Sequence, residues 1–429
     1  MTVSSPISQA NINIVGGGIA GLIAATELAR AGAKVRLFEQ AAEFGGRART
    51  RMTDGFFLNQ GPHALYTAGA LMPALERLSV PFSGKRLEGG DRQAIYRGEL
   101  HRLPTSLASL ALTGLMSASD KIAFARVQKA VIDGATGKES FALWLDEQDV
   151  SPMVRMGMEA ISRLSSYANA PSLVHAGALL EQIRRAFKGV LYLDGGWGTL
   201  VDGLAKAARE AGAELIPGAA AERVMIEGRR TRVTLADGSQ HVADATLLAL
   251  GPKEAAGLAH TVASLGTYAQ DAVAVRANTL DLALGRLPAG AKPFALGIDQ
   301  PFYFSVHSND AKLAPEGGAV VHIARYMAPD EQVGRDAISE LESVADLVMP
   351  GWRPLEKKRQ ELRGMVVANA FVRWDKPRPD VALPDAPGLF IAGDWVGDEG
   401  MIADAAAASA VKASGAIRRW VEQAIARAA

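Results

Sequence analysis

Hydrophobic and polar positions change their period twice within the first forty residues of the chain. An apolar run at 12–15 is followed by Gly16, Gly18 and Gly21, and then by a stretch in which apolar residues recur at helical spacing before a second apolar run ends at Glu39. A period of about 3.6 is typical of an amphipathic helix, and short apolar runs are typical of buried strands. The pattern therefore predicts a strand, a glycine-rich turn, a helix and a second strand.

The three glycines give this βαβ unit a chemical role. Gly16 permits a tight exit from the strand, Gly18 leaves the backbone open to a ligand, and Gly21 lets the helix lie close to the sheet. The helix start then offers free N–H groups and a positive dipole end to a pyrophosphate. Glu39 ends the second strand, where a carboxylate can accept the ribose hydroxyls of adenosine. The contacts predicted for this dinucleotide site are Gly16, Gly18, Ile19, Ala20, Gly21, Glu39 and Gln40.

A second glycine-rich segment, Gly45-Gly46-Arg47, follows the predicted ribose-binding acid, and Arg49 comes two residues later. Paired glycines let the backbone approach a ligand closely, and arginine suits phosphate oxygens. Taken alone, the segment is more typical of a basic surface turn. Beside the βαβ unit, we favour contact with the same ligand.

The rest of the pattern alternates between α/β and helical regions. A helix is predicted at 68–79 and a hairpin at 92–104, followed by helical segments over 105–187. A short strand beginning at Leu191 and strands at 214–216 and 222–226 are then predicted, with a hairpin about Asp237-Gly238 and a strand ending at Gly251. Sheet-like alternation covers 267–374, with one helix at 330–349, and a final strand leads into a helix near Met401.

The amino-acid composition limits the kinds of partner, cofactor and metal site that the chain can have. Lys+Arg and Asp+Glu number 46 each, which gives no reason to expect a nucleic-acid partner. The chain has no cysteine, which excludes disulfides, thiolate nucleophiles and a cofactor attached through sulfur. The scattered histidines show no metal-ligand spacing, so no metal site is predicted. The N-terminus lacks signal-peptide character and no run approaches the ~20 apolar residues of a spanning helix, so we expect a cytoplasmic protein.

These motifs, together with the segment Gly61-Pro62-His63, resemble the FAD-containing amine oxidase superfamily, which includes phytoene desaturases, protoporphyrinogen oxidases, and monoamine and L-amino acid oxidases. The resemblance implies that the βαβ unit holds the ADP half of FAD and that Arg47 and Arg49 approach the pyrophosphate and flavin. It places Gly61, Pro62 and His63 beside the isoalloxazine ring. It also implies a strand in contact with the adenine, for which Val224 is the candidate.

The end of the chain extends the same resemblance. A strand ending at Gly393-Asp394 is followed by a short loop and the last predicted helix. In the family the equivalent Asp bonds a ribityl hydroxyl, and the helix directs its positive end at the pyrimidine side of the flavin. The remaining predicted cofactor contacts are Gly251, Gly393, Asp394, Gly400, Met401 and Ile402.

The resemblance implies an α/β fold with a Rossmann-type FAD-binding domain and an inserted α+β substrate domain, which combines a mixed sheet with a helical lid. We assign residues 1–90, 190–266 and 376–429 to the FAD-binding domain, and residues 91–189 and 267–375 to the substrate domain. A helical lid would suit an apolar ligand, although plain core packing would also explain its leucines. The apolar stretch 103–116 could instead rest on a membrane as a peripheral contact.

Two absences separate this sequence from the amine oxidases of the family. Those enzymes usually carry a lysine on a strand of the inserted sheet, whereas residues 270–280 contain none, and Gly400 stands where an aromatic residue completes their amine cage. The pattern therefore favours the phytoene desaturase and protoporphyrinogen oxidase-like branches. Non-covalently bound FAD would remove a hydride from an apolar small molecule, an isoprenoid, polyene or tetrapyrrole-like compound, and oxygen or a quinone would accept the electrons.

His63 is the candidate catalytic residue, either as a general base or as a hydrogen-bond donor to flavin or substrate. The alternative is a purely structural histidine. Three other functions stay open at this point: an amine or amino-acid oxidase, a flavin-dependent isomerase without net redox change, and a cofactor-free escort for prenylated proteins.

Overall fold

A computed structural model describes residues 6–87 and 90–428 of the chain. The described ranges leave out residues 1–5, 88–89 and 429. Residues 1–5 belong to the N-terminal stretch without signal-peptide character. Residues 88–89 and 429 belong to the predicted domain segments 1–90 and 376–429. Within the described ranges, none of the helices combines the length and apolar character needed to cross a membrane.

The elements follow one another in four groups. The first comprises β1 (Asn11–Val15), α1 (Ile19–Arg30), β2 (Lys34–Glu39), β3 (Thr50–Thr53), β4 (Phe56–Asn59), β5 (Leu65–Tyr66), α2 (Leu71–Arg77), β6 (Gly84–Arg86), β7 (Arg92–Tyr96) and β8 (Glu99–Arg102). The second is helical: α3 (Leu107–Leu112), α4 (Ala118–Ile132), α5 (Phe141–Glu147), α6 (Pro152–Ser166) and α7 (Ala176–Lys188). The third comprises β9 (Val190–Leu193), α8 (Gly198–Glu210), β10 (Glu214–Pro217), β11 (Ala221–Glu227), β12 (Arg230–Leu235), β13 (Gln240–Ala243), β14 (Ala245–Leu248), α9 (Pro252–Leu258) and α10 (Ala263–Asp271). The fourth comprises β15 (Val275–Leu284), β16 (Phe294–Gly297), β17 (Phe302–Val306), β18 (Ala319–Tyr326), α11 (Ala337–Val348), β19 (Glu356–Ala368), β20 (Leu389–Ile391) and α12 (Ile402–Ala428).

The predicted βαβ unit forms the centre of a five-stranded sheet with the order β10-β2-β1-β14-β20. Every neighbouring pair in this sheet is parallel. Val15 at the end of β1 lies opposite Phe38 of β2 and Leu248 of β14, so these strands end at the same edge. Helices α8 and α12 both pack against α1. Because ligands of parallel sheets bind outside the carboxyl ends of the strands, this edge is where a nucleotide is expected.

A second, mixed sheet has the order β19-β15-β18-β17-β16-β7-β8. One face, with Leu280, Leu282 and Leu284 of β15, packs in a core with α11. The other face shares a core with the helices α3 to α7. The predicted α/β architecture, with a mixed sheet and a helical layer, is therefore confirmed. The boundaries of the two domains stay predictions.

The prediction of a helix at 330–349 was wrong in its first turns, because α11 begins at Ala337. The side chain of Glu331 pairs with Arg325 and accepts a hydrogen bond of 3.0 Å from the backbone N–H of Ala328. These contacts hold the chain in a turn after β18. The backbone carbonyl of Glu331 also accepts a hydrogen bond of 2.6 Å from Arg276, which lies 55 residues earlier in the chain. This partner could not be read from local periodicity, which is why the sequence overextended the helix.

Candidate active site

A cavity of about 550 Å³ opens at the carboxyl edge of the parallel sheet, between the start of α1, the end of β19 and the start of α12. Both ends of the chain contribute to its wall. Of the predicted contact residues, those that line the cavity are Gly16, Gly18, Ile19, Ala20, Glu39, Gln40, Gly45, Gly46, Arg47, Arg49, Pro62, His63, Gly251, Gly393, Asp394, Met401 and Ile402.

Four predicted contacts are not among the described residues that line the cavity: Gly21, Gly61, Val224 and Gly400. A Cβ on Gly21 would lie 1.9 Å from the carbonyl oxygen of Gly16, so this glycine sets the packing of α1 against the turn below it. Gly61 packs against Met365 in the same way. Val224 of β11 is buried in the hydrophobic core, and Gly400 lies against Asp404.

The nucleotide end of the cavity has the form of a phosphate cradle. A Cβ on Gly18 would meet nothing within 4 Å, so open space lies directly over the start of α1. The first N–H groups of an α-helix have no partner within the helix and are available to an anion. Glu39 accepts hydrogen bonds from the N–H groups of Gly17 (2.7 Å) and Ala41 (2.9 Å). Each carboxylate oxygen keeps a further lone pair for a hydroxyl group. These residues fit a dinucleotide.

Asp394 is tied to the opposite end of the chain by an ion pair. Its Oδ2 lies 2.7 Å from Nη1 of Arg47, and the same nitrogen donates to the carbonyl of Val367 at 2.7 Å. The backbone N–H and side-chain amide of Asn369 complete the shell of Asp394 at 3.1 and 2.9 Å. The Asp394 side chain is only 2% exposed. Arg47 therefore links the end of β19, through Val367, to the Asp394 side chain that follows β20.

We expect Asp394→Asn to lower FAD affinity about 10- to 150-fold and to lower the thermal midpoint. The amide replaces one acceptor oxygen with a donor, which then faces the donors of Arg47 and Asn369, and lost hydrogen bonds to a charged group are worth about 1.5–3 kcal/mol. Flavin fluorescence titration measures the affinity. Asp398→Asn is the matched control, because that side chain is 91% exposed, and it should leave both values unchanged.

His63 is present in the cavity wall as a neutral imidazole. Its Nδ1 lies 2.9 Å from the carbonyl oxygen of Gly61, which can only accept, so we assign the proton to Nδ1. Burial, opposed in part by this hydrogen bond, lowers the pKa of His63 to about 4. The ring packs on Trp197 at 4.8 Å between centroids. His63 can therefore accept a hydrogen bond through Nε2 and carries no positive charge near neutral pH.

The sequence did not predict which residues form the rest of the cavity wall. The strand that reaches the cavity is β19, through Leu362, Met365, Val366 and Val367, whereas the described lining includes no residue of the segment 270–280 in which a lysine was sought. Tyr66, Tyr167 and Asp404 also line the cavity and were missed. Trp395 is buried, and its Nε1 donates a hydrogen bond of 2.8 Å to the carbonyl oxygen of Leu250.

Comparison with known proteins decides the family. The chain matches the family described as flavin containing amine oxidoreductase over residues 19–418. The chain belongs to this family. It is therefore a member of a flavin-containing oxidoreductase family, and the resemblance stated from the sequence is confirmed.

Individual members of the family share limited identity with the chain. Coproporphyrinogen III oxidase of Propionibacterium freudenreichii subsp. freudenreichii is 33% identical over 125 residues, which are 27% of this chain and 24% of that protein. The 4,4'-diapolycopen-4-al dehydrogenase of Metabacillus indicus is 23% identical over 276 residues, 55% of each chain. The matched regions thus span about half or less of these relatives. An oxidoreductase structure from Methanosarcina mazei shares the fold with a TM-score of 0.76 at 20% identity, covering 94% of this chain and 99% of that one.

Proposed function

We propose that this family member is a dehydrogenase or oxidase that removes a hydride and a proton from adjacent atoms of an apolar substrate, an isoprenoid, polyene or tetrapyrrole-like compound. The observation that carries the proposal is the wall formed by β19 and the start of α12. Leu362, Met365 and Val366 present apolar side chains there, and no lysine is found among the described lining residues. Relatives named as a porphyrinogen oxidase and a carotenoid-type dehydrogenase support the same substrate class.

The site fits FAD held without a covalent bond. Gly18, Gly46 and the start of α1 would face the pyrophosphate, Glu39 the adenosine ribose, and Asp394 the ribityl chain. When bound, FAD supplies the two-electron acceptor. The protein orients the substrate and excludes water from the site. The buried aromatic rings of Tyr66 and Tyr167 contribute to the exclusion of water.

Anaerobic mixing of the purified yellow protein with a panel of probes tests the proposal. We expect coproporphyrinogen III or 4,4'-diapophytoene to bleach the flavin absorbance and simple amines to leave it unchanged. Acid precipitation should release the flavin into the supernatant, and reoxidation by oxygen or by a quinone identifies the acceptor. Bleaching by an amine would establish an amine oxidase instead. Turnover with the flavin still oxidised would establish an isomerase, and a colourless protein that takes up no FAD would establish an escort.

We also propose that α3 and the start of α4 rest on an anionic membrane surface from which an apolar substrate enters. Leu107, Leu112 and Ile122 are 81, 69 and 73% exposed. Leu110 on the other side of α3 belongs to the same buried cluster as Tyr167 and Met401 of the cavity. Residues 102–133 carry the cations Arg102, Lys121, Arg126 and Lys129 against the acids Asp120 and Asp133, and Lys129 pairs with Asp133. The Asp120 carboxylate is held by Ser117 and Ser151.

Replacing Leu107 and Leu112 together by glutamate should lower co-sedimentation with phosphatidylglycerol vesicles at least tenfold. Each exposed leucine contributes roughly 1–2 kcal/mol when it leaves water, and the new charges repel the anionic surface. Met52→Glu on β3 is the matched control, because Met52 is an exposed apolar side chain (63%) outside α3 and α4. Equal binding of the double variant and the wild type, or self-association that the double variant abolishes without vesicles, would refute the membrane contact.

A further inference from the structure

Asp404 is a buried carboxylate in the wall of the cavity, in the first turn of α12. The residue is 3% exposed. Its Oδ1 accepts a hydrogen bond of 2.9 Å from the backbone N–H of Leu71, which fixes the side chain between α12 and α2. Among the described residues, none donates a hydrogen bond to Oδ2. This oxygen therefore keeps its lone pairs for a ligand in the cavity.

Gly69 packs directly against this carboxylate. A Cβ on Gly69 would lie 2.1 Å from Oδ2 and 2.2 Å from Oδ1 of Asp404, so no other residue type fits at position 69 without moving the side chain. Three charged or titratable groups act on Asp404: Arg185 of α7, Tyr66 of β5 and Glu399 of the loop before α12. Nη1 of Arg185 is buried without a hydrogen-bond partner, beside Gly400. Burial dominates and raises the pKa of Asp404 from 3.8 to about 6.

The other acceptors in the wall are less suited to take a proton. Both oxygens of Glu39 accept backbone N–H groups, and those of Asp394 are held by Arg47 and Asn369. Glu254, the other carboxylate among the described lining residues, is exposed in the first turn of α9. Burial raises the pKa of Tyr66 and of Tyr167, so both phenols stay protonated. The pKa of His63 is about 4 against about 6 for Asp404, which is about a hundredfold lower proton affinity. A catalytic base works best when its pKa lies near the working pH.

We propose that Asp404, and not His63, is the catalytic base that takes the proton from the substrate during its oxidation. The proposal rests on the proposed function. The bound flavin would be the oxidant and would receive the hydrogen of one substrate C–H bond together with both electrons of that bond. The C–H bond on the adjacent carbon breaks heterolytically, its electron pair becomes the new π bond, and its proton forms an O–H bond on Oδ2. The neutral acid then returns this proton to solvent.

The first test follows anaerobic flavin reduction against pH, with whichever porphyrinogen or polyene probe reduces the wild type. The wild-type rate should rise as Asp404 ionises through pH about 6 and then level off. Asp404→Asn keeps an oxygen for the N–H of Leu71 but cannot take the proton, so its rate should fall about 100-fold and lose this pH limb. Asp398→Asn should match the wild type. Asp404→Ala should regain rate with added formate, which can occupy the vacated position.

The second test needs no substrate. A raised pKa means that the folded protein binds this proton more tightly than the unfolded chain does, so ionised Asp404 destabilises the fold above pH 6. This destabilisation disappears as the pH falls towards 4, because Asp404 is then protonated in the folded protein. The thermal midpoint of Asp404→Asn should therefore exceed that of the wild type at pH 7 to 8, and the gap should close near pH 4. A gap independent of pH would overturn the ionisation on which the proposal depends.

The outcomes separate the two claims. A normal rate and an unchanged pH limb in Asp404→Asn, with the wild type reduced by the same probe, would overturn the role of Asp404 and leave the proposed function standing. A wild type that no apolar probe reduces would overturn the proposed function and the proton transfer with it.

Discussion

Gly18→Val is expected to lower FAD affinity about a thousandfold while leaving the fold intact. Gly18 has the extended backbone angles φ −77° and ψ −174°, which valine adopts readily, and a Cβ there meets no atom within 4 Å. The new methyl groups project into the space over the first N–H groups of α1. Two hydrogen bonds from these groups to phosphate oxygens are together worth roughly 3–6 kcal/mol, and each 1.4 kcal/mol is tenfold in affinity.

Fluorescence titration of the deflavinated protein with FAD measures this loss, and circular dichroism with a thermal scan checks the fold. The thermal midpoint of the flavin-free variant should lie within about 2 °C of the flavin-free wild type. FAD binding by Gly18→Val at wild-type strength would show that the pyrophosphate lies elsewhere.

Gly21→Ala, in contrast to Gly18→Val, should mainly lower the stability of the fold. The added Cβ would lie 1.9 Å from the carbonyl oxygen of Gly16 and 3.3 Å from Cβ of Ala249. Relief requires α1 to move away from the turn and from the end of β14. Overpacking of this kind costs about 3 kcal/mol or more when the clash is with backbone.

Urea unfolding of the flavin-free protein measures the cost of Gly21→Ala directly, since the midpoint should fall while Gly18→Val stays at the wild-type value. The two glycines lie three residues apart in one motif, so the pair separates packing from ligand contact. Equal stability of Gly21→Ala and the wild type would mean that α1 has more freedom than its packing indicates.

The nucleotide half of the site could be predicted because its signals are local. β1, α1 and β2 lie within thirty residues, and their glycine spacing, apolar period and terminal Glu39 all depend on neighbours along the chain. The same holds for the hairpin of β7 and β8, in which Tyr96 pairs with Glu99. Local agreement of this kind survives folding, because the elements pack as units.

The flavin and substrate side of the site depends on contacts between distant parts of the chain. Arg47 and Asp394 are 347 residues apart, and neither position shows that the other is its partner. Asp404 stands in an alanine-rich helix, where an acid in the first turn is typical of ordinary helix stabilisation. Its burial comes from packing that no local pattern indicates. The lining role of β19 likewise follows from its register against β15, with Leu362 opposite Thr279, and not from its composition.

We expect the two ends of the chain to hold opposite halves of one FAD molecule, and titration with fragments of FAD shows whether they do. Deflavinated wild type, Gly18→Val and Asp394→Asn would each be titrated with ADP, riboflavin and FAD. Gly18→Val should weaken ADP and FAD but leave riboflavin within twofold of the wild type, and Asp394→Asn should weaken riboflavin and FAD but leave ADP unchanged. Loss of ADP binding in Asp394→Asn, or wild-type FAD affinity in both variants, would contradict the account.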